Sequence, residues 1–391
     1  MTHTPQPSPL PKPAISRPSK HFHRLAWLAV ALALGVIAFG AFVRLSDAGL
    51  SCPDWPTCYG RAAWPTQATD TVDEALTAIR PVEVHKAWRE QFHRMIAGAL
   101  GVLVLGLALL AARRRHHGIA QVLVASLLVA LAIPMYMQAQ YVAASLLALA
   151  GEAILLLAAL RWSNLDLARV AALTLAVIVF QALLGMWTVT WMLKPIVVMG
   201  HLLGGLLTFS LLLWMAWRAT DLPIRLAEAP VLRAWVMAGL ALLAVQIALG
   251  GWTSANYAAL ACGTDFPTCV GLWRPPSDFR EGFDLWRGIG ADFEGGVLAG
   301  EARIAIQMAH RAMAVLVFGY LMWLSVRLLR TPGLRTWATT LGALALLQVA
   351  LGIANVKLAL PLWTAVLHNL GAVLLLFVLV SLLARVRPPE P

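Results

Sequence analysis

The chain has 391 residues, of which 60% are hydrophobic and 13% charged, with a formal net charge of +11. So apolar a composition excludes a soluble globular domain. The basic residues are scattered over short segments and form no patch, which argues against a nucleic-acid partner. Residues 1–24 open the chain as a Pro-rich segment with Lys and Arg and no acid, expected to be a disordered cytoplasmic tail. Ten apolar runs then follow, each long enough to cross a bilayer as a helix. They cover about 25–43, 95–112, 119–137, 141–160, 170–190, 197–217, 234–253, 304–326, 336–356 and 362–384. The first is too long for a cleavable signal and lacks a small-residue cleavage site. Period-two alternation is too short-lived for a membrane barrel. The expected fold is therefore all-α and polytopic.

Charge sets the orientation. With the N-terminus in the cytoplasm, the inner segments collect Arg24, Arg113, Arg114, Arg115, Arg218, Arg233, Arg385 and others with few acids, while the outer loops are mixed. This positive-inside pattern places both termini in the cytoplasm.

The two halves repeat in order. Gly40-Ala-Phe-Val-Arg-Leu leads to Cys52-Pro-Asp-Trp-Pro-Thr-Cys58, and Gly250-Gly-Trp-Thr-Ser-Ala leads to Cys262-Gly-Thr-Asp-Phe-Pro-Thr-Cys269. His93-Arg94 answers His310-Arg311. Gln181-Ala-Leu-Leu-Gly185 precedes His201 as Gln348-Val-Ala-Leu-Gly352 precedes His368. The chain thus divides into a four-helix unit over 25–217, a cytoplasmic linker over 218–233 and a second four-helix unit over 234–386. An apolar hairpin over 118–161 has no counterpart in the second half and carries an intramembrane carboxylate, Glu152. Glu152 is read as facing a polar neighbour or water.

Four histidines in a duplicated membrane frame point to a shared task, because a lone imidazole in a bilayer is costly. In each unit they open two helices that run in the same direction, so the pairs His93 with His201 and His310 with His368 can clamp a planar heme from both faces. Gly98, Gly200, Gly204, Gly205 and Gly371 leave room for a macrocycle. The bland alternative is four histidines that hydrogen-bond neighbouring helices. Zinc is disfavoured, since no Cys or third His lies at ligand spacing.

The halves differ where Glu90-Gln-Phe-His93 becomes Gln307-Met-Ala-His310. Glu90 shares a helical face with His93. A carboxylate there can exchange protons or steady positive charge, and an amide cannot exchange protons in that way. Chemistry is therefore expected in the N-terminal unit, and electron transfer or structure in the C-terminal one; the alternative is a helix-start carboxylate. Arg94 and Arg311 are candidates for heme propionates or for snorkelling to the interface. His85 and Lys86 are weaker candidates. The four cysteines lie in two outer loops, and an oxidising compartment favours the disulfides Cys52–Cys58 and Cys262–Cys269.

Together these motifs resemble heme A synthase, the bacterial and mitochondrial membrane family. The resemblance rests on Arg44 to Cys58, Glu90-Gln-Phe-His93-Arg94, Gln181 to Val189, His201-Leu-Leu-Gly-Gly, Gln307-Met-Ala-His310-Arg311 and His368-Asn-Leu-Gly. It implies two pseudo-symmetric four-helix bundles and oxidation of the heme O C8 methyl to a formyl group by successive hydroxylations. It implies substrate heme between His93 and His201, with Glu90 needed for turnover, and heme b between His310 and His368. It further implies a bacterial inner membrane, with the protoheme farnesyltransferase and cytochrome oxidase assembly factors as partners; membrane lipid surrounds the chain and a homo-oligomer is compatible with it. The hairpin departs from the family's eight-span pattern. A non-catalytic diheme b-type cytochrome carrying electrons from quinol would use the same histidines without needing Glu90, and a parallel-repeat transporter is a third reading.

Overall fold

The computed structural model describes residues 20–72, 74–163 and 167–390. It is helical throughout, with α1 (Lys20–Leu45), α2 (Glu74–Ile79), α3 (Val84–Ala112), α4 (Gly118–Met137), α5 (Tyr141–Arg161), α6 (Ala168–Thr190) and α7 (Pro195–Thr220) in the first half. The second half holds α8 (Ala229–Ala255), α9 (Phe279–Gly282), α10 (Gly300–Leu329), α11 (Arg335–Lys357) and α12 (Leu362–Arg385). All but the short α2 and α9 are long and apolar enough to cross a membrane. The protein is an all-α, multi-pass membrane protein.

Several boundaries move from their sequence-based positions. Residues 1–19 of the expected tail lie outside the described residues, and 20–24 already belong to α1. The linker expected over 218–233 shortens, because α7 runs to Thr220 and α8 begins at Ala229. Within it β1 (Ile224–Arg225) pairs in parallel with β2 (Val386–Arg387), tying the connection to the C-terminal end. Helix α3 begins well before its apolar run, at Val84, and α10 likewise at Gly300. Their polar first turns extend toward the disulfide loops, so His93 and His310 sit deeper in their helices than the apolar segments suggest.

The contacts define two closed rings. Helix α1 packs on α3 and α7, and α6 packs on both of these; α8, α10, α11 and α12 repeat the arrangement. Between the rings α7 meets α12, α7 meets α8, and α12 meets α1. The first contact joins equivalent helices, and the other two are each other's counterparts, as a pseudo-two-fold axis along the helices requires. Small residues allow close approach where apolar burial cannot drive association. A Cβ on Gly151 of α5 would stand 2.7 Å from the Ala125 carbonyl oxygen of α4, which fixes the hairpin as a tight pair.

The tightly packed core lies toward the arginine-rich ends of the helices. Phe209, Leu212, Leu213, Leu321, Leu324, Leu379 and Leu382 are fully buried there. Toward the disulfide loops packing loosens, and at the level of the histidines most helix residues are only half-buried. The bundle is thus solid at one end and open in the layer that carries its polar groups.

Candidate functional site

Each histidine ring rests on a glycine of the neighbouring helix. A Cβ on Gly40 of α1 would lie 2.8 Å from Cε1 of His93, and one on Gly185 of α6 would lie 3.2 Å from Cε1 of His201. The second unit repeats this, with Gly250 of α8 at 3.1 Å from His310 and Gly352 of α11 at 3.2 Å from His368. These glycines create notches that seat the imidazoles, a role the sequence did not disclose. Within each unit the two histidines stand on helices of one ring, His93 on α3 with His201 on α7, and His310 on α10 with His368 on α12. The members of each predicted pair thus belong to the same four-helix ring.

The ring nitrogens bear on what the pairs can hold. Nδ1 of His93, His201 and His368 is buried without a hydrogen-bond partner, whereas Nδ1 of His310 lies 3.1 Å from Nε2 of Gln246. Buried orphan nitrogens are uncommon. Paired imidazoles with uncommitted nitrogens, in a layer of loosened packing, fit a large planar ligand whose metal takes a nitrogen from each side. The bland reading, four histidines satisfied by neighbouring helices, finds contacts for His310 with Gln246, for His368 with Gln348 and for His201 with the Gln181 backbone, and none for His93 among the described residues.

Glu90 is 4% exposed and fully engaged. Its Oε2 accepts from the Cys52 backbone N–H at 2.9 Å, and its Oε1 accepts from Arg94 at 2.6 Å. Arg94 also donates to the carbonyls of Asp54 and Thr57, at 2.8 Å each, and more weakly to Cys52 at 3.4 Å. In the second unit Arg311 repeats the pattern, donating to the carbonyls of Thr268 at 2.9 Å and Asp265 at 3.0 Å. Both arginines are thus turned to loop carbonyls, an engagement that neither the propionate nor the snorkelling reading anticipates. Gln307, in the place of Glu90, is as buried, and its Oε1 has no partner.

The loops these arginines hold are near copies. Disulfides close Cys52–Cys58 and Cys262–Cys269. Each loop ends in a bridge, Cys58 with Arg61 and Cys269 with Leu272. Asp54 accepts from the backbone N–H of Tyr59 and Gly60, at 2.6 and 2.9 Å, and Asp265 from that of Gly271. The first loop is also anchored by Tyr59, whose hydroxyl donates to the carbonyls of Arg80 and Pro81. Burial pushes this phenol up to about 12. Val270 takes its place in the second loop, exposed.

Further residues reach between the units. Arg44 donates to the Ser254 carbonyl at 2.8 Å and lies over the Tyr257 ring. Arg80 pairs with Glu294, and Phe293 N–H donates to the Met192 carbonyl. Lys194, at the start of α7, is 1% exposed, has no hydrogen-bond partner at Nζ, and lies 3.5 Å from the centroid of Trp286. Arg44 stood inside a quoted motif, but its partners belong to the other unit, and nothing in sequence marked Lys194. Glu152 is half-buried with Oε2 unpartnered.

A model of the family described as cytochrome oxidase assembly protein (COX15-CtaA) matches residues 23–140 and 137–380. A heme A synthase of Shewanella oneidensis is 39% identical over 365 residues, covering 92% of this chain and 96% of that one. Heme A synthases of Caulobacter vibrioides and Methylobacterium radiotolerans are 32% and 34% identical over 54% and 45% of this chain, and over 60% and 46% of their own.

Proposed function

We infer the function from membership: the chain belongs to the cytochrome oxidase assembly protein family COX15-CtaA. It acts as a heme A synthase, an oxidoreductase of the membrane. Its substrate is read as heme O, with the C8 methyl taken to a formyl group by successive hydroxylations. The observation that carries this reading is the asymmetry of a duplicated frame: two equivalent histidine pairs, only one of which has a carboxylate beside it.

His93 and His201 would bind and orient substrate heme, and His310 and His368 would hold a resident heme b. The resident heme supplies one-electron redox capacity when bound. Glu90 is the residue proposed to hold or move a proton during oxidation of the methyl. Its two carboxylate oxygens are fixed by Cys52 N–H and Arg94, which favours one orientation beside His93. Arg94 and the Cys52–Cys58 loop would keep that carboxylate in place and cap the mouth of the site against water. The N-terminal unit is thus proposed as the catalytic one and the C-terminal unit as its electron partner. The arginine-rich segments support both termini in the cytoplasm of a bacterial inner membrane. Partners consistent with this role are the farnesyltransferase that makes heme O and cytochrome oxidase assembly factors.

The test is extraction and chromatography of heme from protein purified with a heme O supply. Heme A or its hydroxymethyl precursor, alongside heme B, is the expected result. Heme B alone, at two per chain, would replace the synthase with an electron-transfer cytochrome.

A further inference from the structure

Three of the four histidine seats share one sequence pattern, and the fourth breaks it. Gln181-Ala-Leu-Leu-Gly185 seats His201, Gln246-Ile-Ala-Leu-Gly250 seats His310, and Gln348-Val-Ala-Leu-Gly352 seats His368. In each, the glycine meets the ring and the glutamine stands one helical turn earlier on the same face. His93 is seated instead by Val36-Ile-Ala-Phe-Gly40. Gly40 and Gly250 stand at the same distance before Cys52 and Cys262, so Val36 occupies the place of Gln246.

Two of the three glutamine side chains reach the histidines, and Nε2 of Gln181 has no hydrogen-bond partner. Nε2 of Gln246 lies 3.1 Å from Nδ1 of His310 and 3.3 Å from its carbonyl oxygen. Nε2 of Gln348 lies 2.9 Å from the His368 carbonyl and 3.3 Å from Nε2 of its ring, while Nδ1 of His368 has no partner. The Gln181 amide lies over Gly204, and the Gln348 amide over Gly371, each three residues beyond the histidine. Oε1 of both Gln246 and Gln348 is buried without a partner. A half-turn of the amide exchanges its oxygen and nitrogen, so Gln246 can offer Nδ1 either a donor or an acceptor. Iron ligation through Nε2 requires the proton on Nδ1, and the free amide oxygen is then its acceptor. Such a bond fixes the tautomer, orients the ring and makes it a stronger ligand.

His93 has none of this. Val36 brings no polar atom, so Nδ1 of His93 lacks the partner that Gln246 gives His310, and Phe39 stacks on the ring with centroids 6.5 Å apart. We propose that Gln246 holds His310 as a firm iron ligand, and that Val36, in the equivalent place, makes His93 the ligand that lets go, opening a coordination position beside Glu90. The inference rests on the heme-ligation reading above. On release the iron–nitrogen bond breaks with its electron pair kept by the imidazole, and a small neutral ligand takes the vacated position. Val36 and Gln246 act through the histidines and are positioning residues.

The test uses full-length, heme-loaded protein reduced with dithionite, with carbon monoxide as the probe and heme content measured in parallel. In the unsubstituted protein CO binds at one of the two hemes. Val36→Gln is expected to slow that binding about tenfold, the usual effect of a partner on a ligating histidine, with heme content unchanged. Gln246→Val is expected to make the other heme CO-reactive, and Val36→Leu to leave CO binding as it was. CO kinetics unchanged in Val36→Gln, together with a heme still inert in Gln246→Val, would overturn the inference and leave the ligation reading standing. Should Val36→Gln fail to fold, Gln246→Val alone decides the matter. Unsubstituted protein that carries no heme would defeat the ligation reading itself.

Discussion

Replacing Glu90 by Gln separates chemistry from architecture, because the protein already contains the control. Gln307 occupies the equivalent place beneath an equivalent loop, and Arg311 there holds the loop through the carbonyls of Thr268 and Asp265 alone. A glutamine at position 90 is therefore compatible with the fold. The substitution weakens a charge-assisted bond to Arg94 at 2.6 Å and turns one amide edge against a donor. Such bonds contribute about 1.5–3 kcal/mol. Arg94 keeps its loop carbonyls, so the Cys52–Cys58 loop should stay closed at a local cost within that range. If Glu90 exchanges a proton in turnover, conversion should fall by about 100- to 10,000-fold, or about 3–5 kcal/mol in barrier. The assay compares heme content, alkylation of Cys52 and Cys58, and yield of oxidised heme in membranes supplied with heme O. Glu90→Gln with both hemes bound, the disulfide intact and turnover within tenfold of normal would refute the acid–base role. Loss of the disulfide or of heme would show that the carboxylate is structural instead.

Further predictions follow from the same geometry. Arg94→Lys removes the planar fork that spans several carbonyls; the Cys52–Cys58 loop should become more accessible to reductant, measured by the rate of thiol labelling. Gly40→Ala must displace the His93 ring, whereas Gly319, with nothing near its missing Cβ, tolerates the same change; a heme titration should show weakened binding in the first variant only. Tyr59 titrates from an ordinary value of 10.0 to about 12 because burial favours the neutral phenol. Its contribution is whole below pH 10 and is lost as pH rises through 12. Tyr59→Phe should abolish that alkaline loosening, read by thiol labelling of the loop against pH, and should cost about 1 kcal/mol through its lost hydrogen bonds. Deleting 118–160 removes a pair that packs on the outside of the first ring; folded, heme-loaded protein should survive, as size exclusion and heme absorbance would report.

The spans were legible because a membrane demands long apolar runs, and ten such runs are present. The duplication was legible because Cys, His and Gln-x-x-Leu-Gly motifs recur in one order. Helix starts were not: α3 and α10 extend through polar turns whose hydrogen bonds go to distant loops, and no local apolar pattern marks them. The seats were half-visible. Gly40, Gly185, Gly250 and Gly352 all stood in the recurring motifs, but a glycine's partner depends on which helix lies beside it, and Gln246 is 64 residues from the ring it meets. Contacts between units, such as Arg44 with Ser254, required the pseudo-two-fold arrangement itself.

Duplication makes each departure from symmetry informative, because the shared frame holds other causes constant. The arginine clamps, the disulfides and the seating glycines are the same in both units, so they serve what the units have in common: a capped mouth and a pair of oriented imidazoles. Three departures fall around one histidine. Glu90 replaces an amide one turn before His93, Val36 replaces the amide beside its ring, and Tyr59 replaces an exposed valine in the loop above. Their concentration at His93 gives one position a fixed carboxylate, a less restrained ligand and a better anchored cap, which is the combination that oxidation of a bound substrate needs and a resident electron carrier does not.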